Sequence, residues 1–158
     1  MKISNKAILL ILLLASVGFT SIAQNKPVIN KVAKFKPPLV KSYLGDNTNG
    51  AIVSKEDASH LITLPLKITD QKNSTYGIDS YQFLYKKKSV IENEETGRKQ
   101  KTFTTVADRF RSSPLPDVWI NNLKDTFQPE EELYFFDIVV KDKLDRKFFA
   151  PDLKITIQ

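Results

Sequence analysis

The chain has 158 residues with one histidine and no cysteine, and its formal charge at pH 7 is +6. Without cysteine it has no disulfide framework and no thiolate for metal binding or nucleophilic attack. Seven of the 24 basic residues lie in the first 41 positions, which hold no acid, and the other 17 accompany all 18 acidic residues. The remainder of the chain is therefore nearly neutral, at about −1, which argues against a nucleic-acid-binding surface.

Residues 1–23 predict a signal peptide. A short basic start precedes an apolar, leucine-rich run over residues 7–22. Small side chains at Ser21 and Ala23 predict cleavage before Gln24. The alternative is an uncleaved anchor, which would be the only membrane contact, but about 16 apolar residues are short for a span. Because no cysteine lies at the cut, a lipoprotein is excluded. We expect export to the periplasm, with outer-membrane association or secretion left open.

Two further segments follow the predicted signal. Residues 24–38 are basic and contain three prolines, which predicts a linker, with an edge strand as the alternative. Residues 39–158 have the length of one domain, about 120 residues, which is enough for a modest core.

The first part of this domain predicts a helical turn and then a strand. Ser54 followed by Asp57 has the pattern of an N-cap with an acid three residues later, so a helical turn over residues 55–60 is expected. Apolar residues then alternate with polar ones over 61–69, which is typical of a half-buried strand. Pro65 places that strand at an edge or at a bulge.

A hairpin is predicted next. Aromatic residues occupy every second position over 80–85, and a β-prone run covers 102–106. A long charged excursion with Gly97 near its tip separates them. Residues 79–88 and 102–107 are therefore predicted to pair, with a mobile tip between them.

The C-terminal part predicts a short helix over 116–123 and a closing hairpin. Residues 133–140 carry aromatic and β-branched side chains at both alternating sets of positions, which predicts a central strand buried on both faces. Phe136 and Ile138 should then both lie in the core. Residues 153–157 alternate strictly and predict the return strand. These segments together predict an all-β fold with less than about one-fifth helix.

Several segments follow one another along the chain in an order that resembles that of a known protein family. They are Pro37-Pro38-Leu39-Val40 with Tyr43-Leu44-Gly45, then Gly50-Ala51-Ile52-Val53-Ser54-Lys55-Glu56, the run 64–69 with Tyr81-Gln82-Phe83, and finally residues 132–138 with 148–157. Over residues 37–158 this order resembles the C-terminal domain of the GldM/PorM family, the periplasmic shaft subunit of the gliding-motility and type IX secretion machinery of Bacteroidetes-type bacteria. The resemblance implies an immunoglobulin-like β-sandwich with one or two short helices. It also implies a protein-docking role at the outer-membrane end of an assembly, and no catalysis.

Two departures limit what the resemblance implies. The family usually turns its last hairpin with an Asp-Gly pair, whereas Asp145 is followed here by Arg146. The full family member also places a membrane helix and further periplasmic domains before this one, where this chain has a predicted signal peptide and linker. Shaft length and membrane coupling are therefore not implied.

The candidate partner contacts are charged residues. Asp137 is the one charge inside the apolar strand, so it should face the surface or meet a cation, with a partner contact as the alternative. The other candidates could form a basic patch at the hairpin tip: Lys86, Lys87, Lys88, Arg98 and Lys99. Glutamates lie among them, which favours a solvated, mixed-charge loop. Trp119 is expected in the core, with a role as an interface anchor as the alternative.

No catalytic residue, metal ligand or cofactor is predicted. His60 is the only histidine and is expected to be a polar residue at a helix end. The carboxylate runs at 92–95 and 130–132 are expected to be solvated turns, because neither has the apolar surroundings that raise a carboxyl pKa. Asp142 and Asp145 lack the glycine and bidentate glutamate of a known calcium loop.

The sequence thus favours an exported, non-enzymatic structural or docking module that uses sheet edges and loop tips. Its expected partners are other envelope proteins, including type IX secretion or gliding components, and a homo-oligomer is left open. One alternative is a secreted carbohydrate- or ligand-binding sandwich with Tyr81, Phe83 and Tyr85 as an exposed platform. A small secreted hydrolase is another, disfavoured by the single histidine and the absent cysteine.

Overall fold

The computed structural model describes residues 34–158 and shows an all-β chain. This part contains eight strands and two seven-residue helices. Their bounds are β1 (Val40–Leu44), β2 (Ala51–Val53), α1 (Lys55–Leu61), β3 (Leu66–Asp70), β4 (Thr75–Glu92), β5 (Lys99–Phe110), α2 (Asp117–Leu123), β6 (Glu132–Lys141), β7 (Lys147–Phe149) and β8 (Leu153–Ile157).

The chain divides into two units, Met1–Phe35 and Lys36–Gln158, and all of these elements belong to the second. The predicted signal peptide, its cleavage site at Ala23 and Gln24, and most of the predicted linker lie outside the described residues. Within 34–158, neither helix is long and apolar enough to cross a membrane.

The strands form one curled, mixed sheet. The order is β1-β3-β4-β6-β8-β2, with β5 paired to β4 and β7 paired to β6. β2 runs parallel to β8, and the other pairs are antiparallel. The long strand β4 pairs with β3 near its start, with β6 over residues 77–86 and with β5 over residues 81–92. β6 lies between β4 on one side and β7 and β8 on the other, so the prediction of a central strand with a return strand is confirmed.

Asp137 interrupts β6 and changes which of its side chains face the core. Its φ of +48° lies in the left-handed region, which strands do not use, and the β4–β6 register shifts beside it. Before this bulge Leu133 and Phe135 are buried, and after it Ile138 and Val140 are buried. Only one face of β6 therefore lies in the core, and the predicted burial of both faces was wrong.

Phe136 lies on the opposite, half-exposed face of β6. Its ring stacks on Tyr134 with 5.0 Å between centroids and 12° between planes. The Tyr134 hydroxyl in turn donates to Asp152 at 2.5 Å. The prediction that Phe136 is a core residue was wrong because the alternation of β6 places Phe135, and not its neighbour, on the buried face.

An aromatic cluster forms the core on what we call the inner face of the sheet. Tyr81, Phe83 and Tyr85 on β4 are at most 2 % exposed. The Phe135 ring lies 4.9 Å from the Phe83 ring and 5.8 Å from the Tyr81 ring, between centroids. The prediction of an exposed aromatic platform, on which the carbohydrate-binding alternative depended, was wrong.

The predicted strand over 61–69 was wrong in its first half. α1 continues to Leu61, the N–H of Ile62 still binds the carbonyl of Ala58, and β3 begins only after Pro65. Ala58, Leu61 and Ile62 are buried at helical spacing. Since the apolar residues of this stretch fit both a helical and an alternating pattern, the sequence could not separate the two.

Helix α1 begins as predicted. The Ser54 Oγ accepts a hydrogen bond from the N–H of Asp57 at 3.1 Å and donates to the carboxylate of Asp57 at 2.8 Å. Ser59 Oγ donates to the carbonyl of Lys124, which joins α1 to the end of α2. The two short helices therefore support each other.

The turn between β6 and β7 is built around Asp142. Its carboxylate accepts from the N–H of Leu144 at 2.8 Å, the N–H of Arg146 at 3.0 Å and the Arg146 guanidinium at 2.7 Å. Desolvation acts to raise the pKa of Asp142, but the hydrogen bonds from Arg146 and Leu144 outweigh it and hold the pKa below its usual range. Asp145 adopts a φ of +56°, a position where glycine is usual.

Candidate interaction surface

The β4–β5 hairpin extends beyond the rest of the sheet. β5 follows β4 as far as the pair Glu92–Lys99, whereas β6 follows β4 only to the pair Lys86–Glu132. The hairpin then continues as two strands to a turn in which the Asn93 side chain accepts from two backbone N–H groups. The predicted hairpin is confirmed, with residues 81–92 paired to 99–110 in place of the predicted 79–88 and 102–107. Mobility of its tip stays a prediction.

An apolar groove of about 250 Å³ lies where α2 meets the inner face of this hairpin. Val106 and Val118 in its wall are 50 % and 64 % exposed. Trp119 also lines it, and its half-buried indole stands edge-on to Phe83 and Phe110 with 5.7 and 5.5 Å between centroids. Trp119 therefore packs on the core through one edge, as expected, while it forms part of an accessible surface. Its role as an interface anchor stays a prediction.

The predicted basic residues are distributed over both faces of the hairpin. Lys86 and Lys88 pair with Glu132 and Glu130, at 3.4 and 3.6 Å. The Lys86 ammonium also lies 4.6 Å from the centre of the Phe103 ring. These contacts lie on the outer face, which we define as the face of the sheet opposite the aromatic cluster.

The other predicted basic residues do not join this group. Lys87 lines the groove on the inner face. Arg98 lies in the exposed turn, and Lys99 pairs with Glu92 at 3.8 Å. The interpretation of a mixed-charge hairpin therefore describes these residues better than that of a single basic patch.

Asp137 faces the surface on the outer face. Its carboxylate accepts from the Gln82 amide at 2.5 Å and lies 4.0 Å from the Arg109 guanidinium. Its side chain is 53 % exposed. The expectation that this charge meets the surface or a cation is confirmed, because it does both.

A second charged group lies near the end of β5 on the same face. Asp79 binds the ammonium groups of Lys147 at 2.7 Å and Lys141 at 2.9 Å, and these hydrogen bonds, the one from Lys147 first, hold the pKa of Asp79 below its usual range. Asp79 and Lys147 line a cleft of about 170 Å³ together with Arg109 and Arg111. The end of β5 thus carries several cations around one carboxylate.

Glu131 is a buried carboxylate at the base of the hairpin, with 0 % of its surface exposed. It accepts from the Tyr85 hydroxyl, from the N–H of Lys88 at 2.9 Å and from the N–H of Gln128 at 2.9 Å. The prediction that residues 130–132 form a solvated turn was therefore wrong for Glu131. The sequence pattern of β6 could have predicted this burial. If the alternation that places Leu133 and Phe135 on the buried side is extended two residues toward the N-terminus, Glu131 lies on the same side.

Two core tyrosines are predicted to make the fold sensitive to alkali. Burial raises the pKa of Tyr81 from 10.0 to about 12, and burial together with the hydrogen bond to Glu131 raises the pKa of Tyr85. Above pH 10.0 the unfolded chain loses these protons while the folded chain keeps them. The folded state then binds more protons, so stability falls as pH rises between 10.0 and about 12.

Urea denaturation across that pH range measures this dependence. The wild-type unfolding free energy should decline with pH, and the double variant Tyr81→Phe/Tyr85→Phe should show a flatter profile from a lower starting value. Equal slopes in the two proteins would contradict the assignment.

The contacts of the residues considered for catalysis are ones that stabilise the fold. His60 is exposed at the last turn of α1 and lines a depression of about 400 Å³ with Ser54 and Asp57. Ser54, however, donates to Asp57 as the helix cap. Within residues 34–158, no three acidic or histidine side chains are grouped so that they could hold a metal ion.

No protein-family model matches this chain, and no curated protein sequence matches it. The relation to the GldM/PorM family therefore stays a prediction that rests on the resemblance of residues 37–158.

Proposed function

We propose that this protein is an exported, non-enzymatic structural and protein-interaction module of the bacterial envelope, with residues 39–158 as an immunoglobulin-like β-sandwich. It docks onto other envelope proteins, including components of gliding or type IX secretion, in the periplasm, at the outer membrane or after secretion. The observation that carries the proposal is the β4–β5 hairpin, whose edge strand β5 is exposed along most of its length.

The exposure of β5 supports docking because the fold does not require so long an exposed strand. From Lys99 to Arg109 every residue except the half-buried Thr102 is exposed, and β5 pairs with one neighbour. A two-stranded ribbon alone in water is marginally stable at best. Proteins usually shorten or cover such an edge, since its backbone groups are a template for another strand. A long, uncovered edge beside an apolar groove is therefore typical of an interaction surface.

The hydrogen bonds of the acidic residues support the proposal that this protein is not an enzyme. A general acid or base must be able to exchange a proton with substrate. The Glu131 carboxylate is instead held by one hydroxyl and two backbone donors. The Asp57 carboxylate is held by the helix cap.

Site-specific photocrosslinking in the native host tests this proposal. A photoreactive residue is placed at Lys87 or at Lys99, and at Lys55 on α1 as a control position. We expect adducts with other envelope proteins at the two hairpin positions and few at Lys55. The N-terminus of the crosslinked chain should be Gln24.

Two results would count against the proposal. An intact Met1 on the accumulated protein would refute processing and export. Crosslinking that is equal at Lys55, Lys87 and Lys99 would refute the hairpin as the docking element.

A further inference from the structure

The open edge of β5 has a defined set of outward backbone groups. In an antiparallel pair, every second residue directs its N–H and C=O away from its neighbour. The Arg109 N–H is donated to the carboxylate of Asp108 at 2.7 Å, so it is directed away from β4. On the other side of β4, the Lys88 N–H points toward β6, where Glu131 accepts it. Both observations assign the odd-numbered residues of β5, Thr105 among them, to the open edge.

The same odd-numbered residues carry a row of cations on the outer face. The register pairs Lys101 with Val90 and Arg109 with Gln82, so both face outward with Lys99. Arg111, just beyond the strand, shares a cleft with Arg109. No acidic residue occupies the outer-face positions of β5, and Asp108 lies on the inner face because it pairs with Phe83.

The intramolecular partners of these cations leave room for another anion. The Lys99–Glu92 and Arg109–Asp137 distances are 3.8 and 4.0 Å, and Lys101 pairs with Glu130. All six side chains are at least 45 % exposed. Exposed pairs of this kind are weak.

The inner side of the same edge is apolar at Val106, which lies between Thr104 and Asp108 on that side. Val106 on β5 faces the groove whose other wall includes Val118 and Trp119. A strand added next to β5 would place one side chain beside Val106 at the rim of this groove, and its alternate side chains on the other face beside the cation row.

Self-pairing of two copies along the full length of this edge brings like charges together. Antiparallel self-pairing about a two-fold axis places residues of the same face opposite each other. Centred on Thr105, it would set Lys101 opposite Arg109 of the other copy, and Lys99 opposite Arg111. Like charges directly opposite are destabilising, and this pairing brings no acid to the outer face.

We infer that the open edge of β5 accepts, by strand addition, an extended acidic segment of another protein. Its acidic residues recur at every second position and face Lys99, Lys101, Arg109 and Arg111, while an apolar residue between them packs beside Val106 at the groove. This inference rests on the proposed docking function and names the chemistry of the partner.

Fluorescence anisotropy with two synthetic peptides tests the inference on the protein purified from the envelope of its host. In one peptide glutamate alternates with valine, and in the other lysine alternates with valine. We expect the glutamate peptide to bind, with an affinity that decreases as salt is raised, and the lysine peptide not to bind. Arg109→Gln/Arg111→Gln should weaken binding about threefold to tenfold. Equal binding of the two peptides would overturn the inference.

Proline at position 105 separates strand addition from simple charge attraction. Thr105→Pro removes a donor on the open edge without removing a β4–β5 hydrogen bond, and should weaken binding by at least about tenfold. Thr105→Ala retains the N–H and is the matched control, expected to bind as wild type. Equal binding by both variants would overturn the inference.

If the Thr105→Pro variant does not fold, N-methylation of the peptide tests strand addition instead. The glutamate peptide is N-methylated either at its glutamates or at its valines. Because alternate N–H groups of a strand point to one side, one of these peptides should lose binding and the other should keep it. If both bind like the parent peptide, strand addition is wrong. Crosslinks at Lys87 and Lys99 from exported protein would then still support docking, without this edge as its means.

Discussion

Truncation of Phe135 to alanine is expected to lower the free energy of unfolding by about 3–5 kcal/mol. Phe135 is 2 % exposed, and its ring packs against those of Phe83 and Tyr81 at the centre of the sheet. The cost combines the lost burial of the ring with the cavity that remains. Because a domain of this size has only about 5–15 kcal/mol of stability, the variant should melt far earlier or fail to accumulate.

The adjacent Phe136→Ala is the matched control, since it removes the same group one position away. Its half-exposed ring stacks on Tyr134 on the outer face, so the expected loss is only about 1–2 kcal/mol. Urea denaturation of the two variants decides between the faces. A loss at Phe136 equal to or larger than that at Phe135 would show that the inner face of β6 has been assigned wrongly.

Replacement of Glu131 by alanine is the second change expected to have a large effect. It leaves the Tyr85 hydroxyl and the N–H groups of Lys88 and Gln128 without their acceptor. A buried donor without a partner costs about 1–3 kcal/mol. With three such donors, the expected loss in unfolding free energy is at least about 3 kcal/mol.

The neighbouring Glu132→Gln provides the comparison. Glu132 is partly exposed and pairs with Lys86 at 3.4 Å and Lys154 at 4.0 Å, so its loss should stay within about 1 kcal/mol. Chemical denaturation measures both variants. If Glu131→Ala is as mild as Glu132→Gln, then Glu131 does not hold the base of the hairpin through these hydrogen bonds.

Local patterns in the sequence predicted several elements correctly. The return strand over 153–157 and the helix over 117–123 lie where the alternation and the proline-led start indicated. The cap at Ser54 is also confirmed. These features depend on residues a few positions apart, so their physical causes are visible in a short stretch of chain.

The candidate surface was predicted only in part. The hairpin and the mixed charge of Lys86, Lys88 and Lys99 followed from composition and alternation. The groove at Trp119 did not, because it forms between α2 and a strand that precedes it in the chain. Of the cation row of β5 only Lys99 was a candidate, since the role of the row depends on which edge of that strand is open.

The sequence by itself determined that this chain is all-β, with a central strand and a return strand near its C-terminus. The tertiary structure alone decided which aromatic residues are buried. The bulge at Asp137 resets the alternation of β6, and the pairing of β6 with β4 brings Glu131 close to Tyr85, 46 positions away in the sequence. Alternation is a local property with a period of two, so it cannot reveal where one added residue shifts the phase. A buried carboxylate is stable only where distant donors converge on it, and that convergence exists only in the folded chain.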